Sequence, residues 1–363
     1  MTDGRNIDPQ LGTLSGEGSA QFTLDDRPHD KSLSRHVFEG APVQSAAHDP
    51  TYYGWPIVKK SPWSWSIPLY YYVGGTAGGS AVLGASATLL GRGRFPLLTV
   101  RSRWIGALGG AVSGALLIYD LGRPSRFLNM LRVFRPTSPM NMGTWILTGF
   151  SAAAGFAAVA SCGPARLHVL SDIAAVKAGV FGLVLSGYTG VLVSQTAVPV
   201  WQRPHRTMPL LFLASAAASA SSLMSFFEWN ESERRAIAVF GFAGRLADLG
   251  CGQIAEQQIG SVPEAARPLR EGLSGLLWNA GKAFTAASLA LSLAPGSSRR
   301  KDRWIGALGT AGALCLRFGI HYAGQRSAEN PRATFHQQRA EFHQQRAALG
   351  GGAVPAQSVP HYR

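Results

Sequence analysis

Between residues 67 and 324 the chain is a succession of apolar stretches, mostly about 20 residues long and nearly free of charge, joined by short linkers. A helix of that length matches the roughly 30 Å hydrocarbon core of a bilayer, where backbone groups find no water and a helix pairs them internally. The expected fold is therefore all-α: a polytopic membrane helical bundle of about eight transmembrane helices, arranged in two four-helix halves. The crossings are read at 67–91, 103–121, 141–162, 172–197, 208–227, 235–256, 272–294 and 304–324.

Charge sorts to the edges of these runs. Only 15% of the 363 residues are charged and 46% are hydrophobic. The net charge of +14 would suit a nucleic-acid binder if the cations formed one patch. They fall instead in linkers between crossings, which points to phosphate headgroups of membrane lipids and away from nucleic acid. Cys162, Cys251 and Cys315 are far apart, with no CxxC pair, so this chain is expected to hold neither an iron–sulfur cluster nor a structural zinc, and no metal site is assigned.

Three regions follow. Residues 1–60 are polar and read as a disordered N-terminal segment, 61–326 as the transmembrane domain, and 327–363 as a polar tail. The start shows no basic stretch followed by an apolar core, so the first crossing is expected to act as the insertion signal. In the tail, Phe335–Ala340 and Phe342–Ala347 repeat the same hexapeptide with a period of seven, suggesting a short partner-contacting helix.

Small residues recur at four-residue spacing, Gly74 with Gly78, Gly75 with Gly79, Gly106 with Gly110 and Gly110 with Gly114, which lets helices approach closely. The string Arg-Trp-Ile-Gly-Ala-Leu-Gly occurs at 103–109 and at 303–309, and is read as an interfacial Arg-Trp anchor followed by a small-residue face. Lys177, Arg245, Asp248, Lys282 and Arg317 fall inside crossings. Such charges are costly in hydrocarbon and should face the bundle interior, either as a proton path or as internal ion pairs, Arg245 with Asp248 among them.

Alternating the direction of successive helices brings the unusual residues to one membrane face, the one shared by both termini. Tyr70, Tyr71 and Tyr72 come from the start of the first crossing, and Asp120, Gly122, Arg123 and Arg126 from the end of the second and its loop. The start of the third supplies Ser138, Pro139, Met140 and Gly143, and the end of the fourth supplies Tyr188, Gln195, Pro199 and Trp201.

Tyr119-Asp120-Leu121-Gly122-Arg123-Pro124-Ser125-Arg126-Phe127, then Ser138-Pro139-Met140-Asn141-Met142-Gly143, resembles the polysulfide reductase membrane-subunit family, the NrfD-like proteins. So do Tyr188-Thr189-Gly190-Val191-Leu192, Val198-Pro199-Val200-Trp201 and the segment from Arg317 to Gly324. The resemblance implies a subunit of the bacterial inner membrane that binds a quinone or quinol, menaquinone or ubiquinone, near one face. It would exchange electrons with a docked iron–sulfur, ferredoxin-like subunit serving a molybdopterin or other catalytic subunit. By the same resemblance Tyr188 takes the tyrosine position of the quinone pocket, Tyr70 stands where some relatives place a histidine, and the termini lie on the periplasmic side.

Asp120 is the proton-handling candidate, with Arg123 or Arg126 able to hold it ionised, and Arg123 and Gln195 join Tyr70 and Tyr188 as candidate quinone contacts. Only His321 lies well inside a crossing, too few histidines for a bis-histidine haem. The alternatives are a transporter or channel, which intramembrane charges also suit, and a structural anchor that has lost the quinone site.

Overall fold

Proline and glycine mark where helices start and stop. The computed structural model describes residues 6–7, 14–15, 58–91, 93–296, 298–330 and 333–334. The chain divides into two units, Met1–Pro50 and Thr51–Arg363. In the first, only a two-residue antiparallel pairing is described, Asn6 opposite Ser15 and Ile7 opposite Leu14. The expected character of the head and the heptad-spaced tail repeat otherwise lies outside the described residues.

The second unit is helical throughout its described elements: α1 (Ser66–Leu89), α2 (Pro96–Leu121), α3 (Pro124–Arg132), α4 (Pro139–Ser161), α5 (Ala165–Ser194), α6 (Pro199–Gln202), α7 (Thr207–Met224), α8 (Glu231–Gly260), α9 (Pro263–Arg270), α10 (Gly272–Leu293) and α11 (Arg299–Glu329). Five of them open with proline, whose missing N–H falls where a helix has no internal acceptor anyway. Gly122 ends α2 at φ 70°, a left-handed backbone that glycine adopts without steric cost, and the chain turns there into α3.

The eight long helices fall where the eight apolar runs were read. The second starts earlier, at Pro96, because Arg101 and Arg103 continue the helix instead of preceding it. Arg103 is buried, donating to Asp172 at 2.5 Å and to Ser171 Oγ at 2.6 Å on α5. It is thus a bridge between α2 and α5 and not an interfacial anchor, which corrects the common reading of the two Arg-Trp strings. Its counterpart Arg303 is exposed.

Helices α1, α2, α4 and α5 pack in a ring, and α7, α8, α10 and α11 in a second ring. The halves meet where α7 lies against α1 and α5 and where α11 lies against α1. Glycine makes this possible at the centre. A Cβ on Gly78 would come within 2.5 Å of the Gly182 carbonyl on α5, and one on Gly79 within 2.5 Å of the Ala216 carbonyl on α7. The backbones of α1, α5 and α7 therefore touch at main-chain distance.

Four helices, α2, α4, α5 and α7, are long and apolar enough to cross a membrane by composition alone. The other four long helices are of similar length, and polar side chains on them are directed inward: Thr76 and Ser80 on α1, Arg245 and Asp248 on α8, Ser274 and Thr285 on α10, and Arg317 and His321 on α11 are all buried. In contrast, large apolar side chains such as Leu108, Val159, Val180, Leu210, Leu246 and Leu276 are exposed around the outside. An apolar exterior around a partly polar interior is what a lipid-embedded bundle requires.

Candidate functional site

At one end of the bundle the C-terminus of α2 meets the segment that leads into α1. Oδ1 of Asp120 accepts from the Ser64 amide at 2.9 Å, the Ser64 hydroxyl at 2.7 Å and the Ser66 hydroxyl at 3.2 Å. Among the described residues its other oxygen has no hydrogen-bond partner. Two serines, and neither Arg123 nor Arg126, are what hold the carboxylate: Arg126 donates to the Leu121 carbonyl at 3.1 Å, and Arg123 is exposed at the cap of α3.

Beside Asp120 lies a narrow cleft lined by apolar side chains of Ile67, Leu117, Leu121, Met130 and Leu192, with Trp63, Tyr70 and Tyr71. Met140, Gly143 and Thr144 close it from the start of α4. The cleft holds about 30 Å³, room for a water rather than an aromatic ring. Trp63 stacks on Trp201 at 5.6 Å and 27°, and Trp201 Nε1 donates to the Ile320 carbonyl at 2.8 Å, which ties this end of the first half to α11. Asp120 and Trp201 therefore belong to one end of the bundle, as the alternating arrangement required.

Tyr70 lines the cleft and is 4% exposed. Tyr71 beside it is also buried, and its hydroxyl has no hydrogen-bond partner among the described residues. Tyr188 is half-buried and its ring fills the space left by Gly143, while its hydroxyl donates to the Pro139 carbonyl at the first turn of α4. It supports the wall without lining the cleft. Gln195 caps α5 and is exposed, outside the lining.

The intramembrane charges separate into three kinds. Lys177 is exposed on the outer side of α5, not turned inward as expected. Lys282 pairs with Glu256 of α8 at 2.5 Å, and Trp278 Nε1 donates to the same carboxylate oxygen at 3.1 Å, so this charge is used in an internal ion pair. Arg245, Asp248 and Arg317 are each 2% exposed.

The expected pairing of Arg245 with Asp248 is not formed. Arg245 Nη2 turns to Ser222 Oγ on α7 at 3.2 Å. Asp248 lies near Ser215 and within Coulombic reach of Arg317. Arg317 in turn sits 3.8 Å over the Phe212 ring and donates to the Phe212 carbonyl at 3.1 Å.

Four participants escape a reading by spacing. Ser64 and Ser66 lie more than 50 positions from Asp120, and nothing local marks them as its partners. His321, considered only as a haem ligand, is buried with Nε2 at 3.1 Å from Gln325 Nε2, and Gln325 donates to the Trp63 carbonyl at 3.1 Å. Glu233 is fully buried at the opposite end of the bundle; its place in a Ser-Glu-Arg-Arg stretch reads as surface. Among the described residues no group of three or more His, Cys, Asp or Glu side chains gathers as metal ligands would.

A family model described as polysulfide reductase matches residues 50–330. No curated protein matches the chain.

Proposed function

The chain belongs to the polysulfide reductase family, and from its membrane-subunit character we propose that it is the quinone-reactive anchor of a multi-subunit oxidoreductase, all eight long helices crossing the bilayer. The observation that carries the reading is the juxtaposition of an apolar cleft with Asp120, Tyr70 and Tyr71 at one end of the bundle. A quinone site requires an apolar slot for the ring and tail, a few donors for the ring oxygens, and a group that moves protons. The residues present fit that requirement, with the partnerless Tyr71 hydroxyl as the unused donor.

A bound quinone supplies two-electron, two-proton chemistry at its ring oxygens. Tyr70 and Tyr71 donate hydrogen bonds into the cleft, while Ile67, Leu117 and Leu192 exclude water. Asp120 holds a proton on the oxygen that Ser64 and Ser66 leave free, and exchanges it with the aqueous boundary. Tyr188 acts as a positioning residue, since its bond to Pro139 holds the turn of α4 that carries Met140, Gly143 and Thr144. Because the cleft is only about 30 Å³, the ring enters by displacing side chains, and the exposed Met140 at its mouth is the one free to swing.

Arg123 and Gln195, exposed outside the lining, belong to the surface where an iron–sulfur, ferredoxin-like subunit docks and passes electrons to or from a molybdopterin or other catalytic subunit. The membrane is the bacterial inner membrane and the site faces the periplasm in this reading. Arg245, Asp248 and Arg317 are the buried charges left for a proton path; Lys177 and Lys282 drop out of it.

Titration of the purified complex with a menaquinone analogue tests the proposal. Binding is expected to saturate, and Asp120→Asn and Tyr70→Phe to weaken it by about 5- to 30-fold each, the value of one hydrogen bond to a desolvated partner. Tyr188→Phe is expected to weaken it less. The absence of saturable binding, or affinity indifferent to all three substitutions, would remove the quinone site. Solute flux through liposomes by the chain alone would favour a transporter instead.

A further inference from the structure

The end of the bundle away from Asp120 holds a much larger space. The C-terminus of α7, the N-terminus of α8, the C-terminus of α10 and the N-terminus of α11 surround a cavity of about 500 Å³. Five cationic side chains line it, Arg234, Arg235, Arg245, Arg299 and Lys301, against three carboxylates, Glu228, Glu231 and Asp302.

The carboxylates are all engaged at the rim. Glu231 pairs with Arg234 at 2.8 Å and approaches Arg235 at 4.0 Å, Asp302 lies 3.9 Å from Arg234, and Glu228 pairs with Arg299. Among the described residues no carboxylate reaches Arg245 at ion-pair distance. Its guanidinium is 2% exposed, its Nε has no hydrogen-bond partner, and its one side-chain contact of that kind is the neutral Ser222 hydroxyl. The space it occupies exists because position 241 is glycine: a Cβ there would come within 2.8 Å of Nη1.

A buried cation without a counter-charge is strongly disfavoured, and a cation-rimmed cavity beside it offers the means of supplying one. A guanidinium presents parallel N–H donors that match two oxygens of a phosphate group. We propose that this cavity binds a phosphate-type oxyanion, with Arg245 as the inner ligand and Arg235 on the rim. Phe227 and Trp229 stand at its wall, where ring side chains meet the headgroup layer. An anionic phospholipid headgroup and free phosphate share this chemistry. The site lies apart from the cleft at Asp120 and does not depend on the quinone reading.

Delipidated full-length protein in detergent, its thermal unfolding midpoint followed during titration with phosphatidylglycerol, phosphatidylcholine or inorganic phosphate, tests the site. Phosphatidylglycerol is expected to raise the midpoint saturably. Arg245→Gln should abolish the rise, and Arg235→Glu, at a side chain 78% exposed and so harmless to folding, should raise the half-saturating concentration at least fivefold. A response to phosphatidylglycerol alone assigns a lipid headgroup, and an equal response to inorganic phosphate assigns a free anion. The site is overturned by the absence of any saturable rise with either anion, by an equal rise with phosphatidylcholine, or by half-saturation unchanged in every variant that folds. Should Arg245→Gln not fold, Arg235→Glu alone decides.

Discussion

One oxygen of Asp120 gathers the Ser64 amide and two serine hydroxyls, so the residue proposed to move protons also fixes the start of α1. That double use explains why a lone acid at a helix end is worth its desolvation. Among the glycines the same scale separates contact from coincidence. Gly78 faces the Gly182 carbonyl at 2.5 Å from its would-be Cβ, whereas a Cβ on Gly114 would meet nothing within 4 Å. Gly78→Ala is therefore expected to lower stability by about 1–3 kcal/mol through forced separation of α1 and α5. Gly114→Ala should be neutral or raise it by up to about 1 kcal/mol, since alanine favours a helix. Thermal unfolding of the two variants side by side checks this; equal effects would deny that α1 packs on α5 through Gly78. The four-residue glycine spacing was visible in the sequence, but which members carry a contact depends on which face meets a neighbour.

At the scale of elements, Glu233 does work that its surroundings in the sequence hide. Its Oε1 accepts from the amides of Leu97 at 2.7 Å and Leu98 at 2.9 Å, and its Oε2 from the Asn230 amide at 3.2 Å. It thus caps its own helix, α8, and satisfies the free amides at the start of α2 in the other half. Glu233→Ala is expected to cost about 3 kcal/mol or more, since it strands buried amides, and Glu233→Gln distinctly less, because the amide oxygen still accepts. Chemical denaturation in detergent measures both; an alanine variant as stable as the parent would show that the two helix starts are not coupled. Helix positions were legible because uncharged length and proline starts are local signals. The start of α2 was not, because Arg103 finds Asp172 across the bundle. Nor was the orientation of Lys177, since an isolated charge in an apolar run gives no indication of the face it takes.

For the whole molecule, the division into two four-helix rings and the gathering of Asp120, Tyr70 and Trp201 at one end follow from helices that reverse direction in turn. That much could be read from the order of apolar runs. The surroundings of the buried charges could not, because they depend on packing between helices: Arg245 of α8 turns to Ser222 of α7 and not to Asp248 three residues away, and Arg317 of α11 sits over Phe212 of α7. Eight crossings that set the cleft at Asp120 and the cavity at Arg245 on opposite water boundaries are the central claim. Cys162 is exposed at the end of α4, and Arg123 and Gln195 are exposed at the other end. With Cys251 and Cys315 replaced by serine, a membrane-impermeant thiol reagent applied to sealed, oriented vesicles should label Cys162 from one side. In a background also lacking Cys162, it should label Arg123→Cys and Gln195→Cys from the other side only. Labelling of Arg123→Cys and Gln195→Cys from different sides, or of either from the same side as Cys162, would contradict the account.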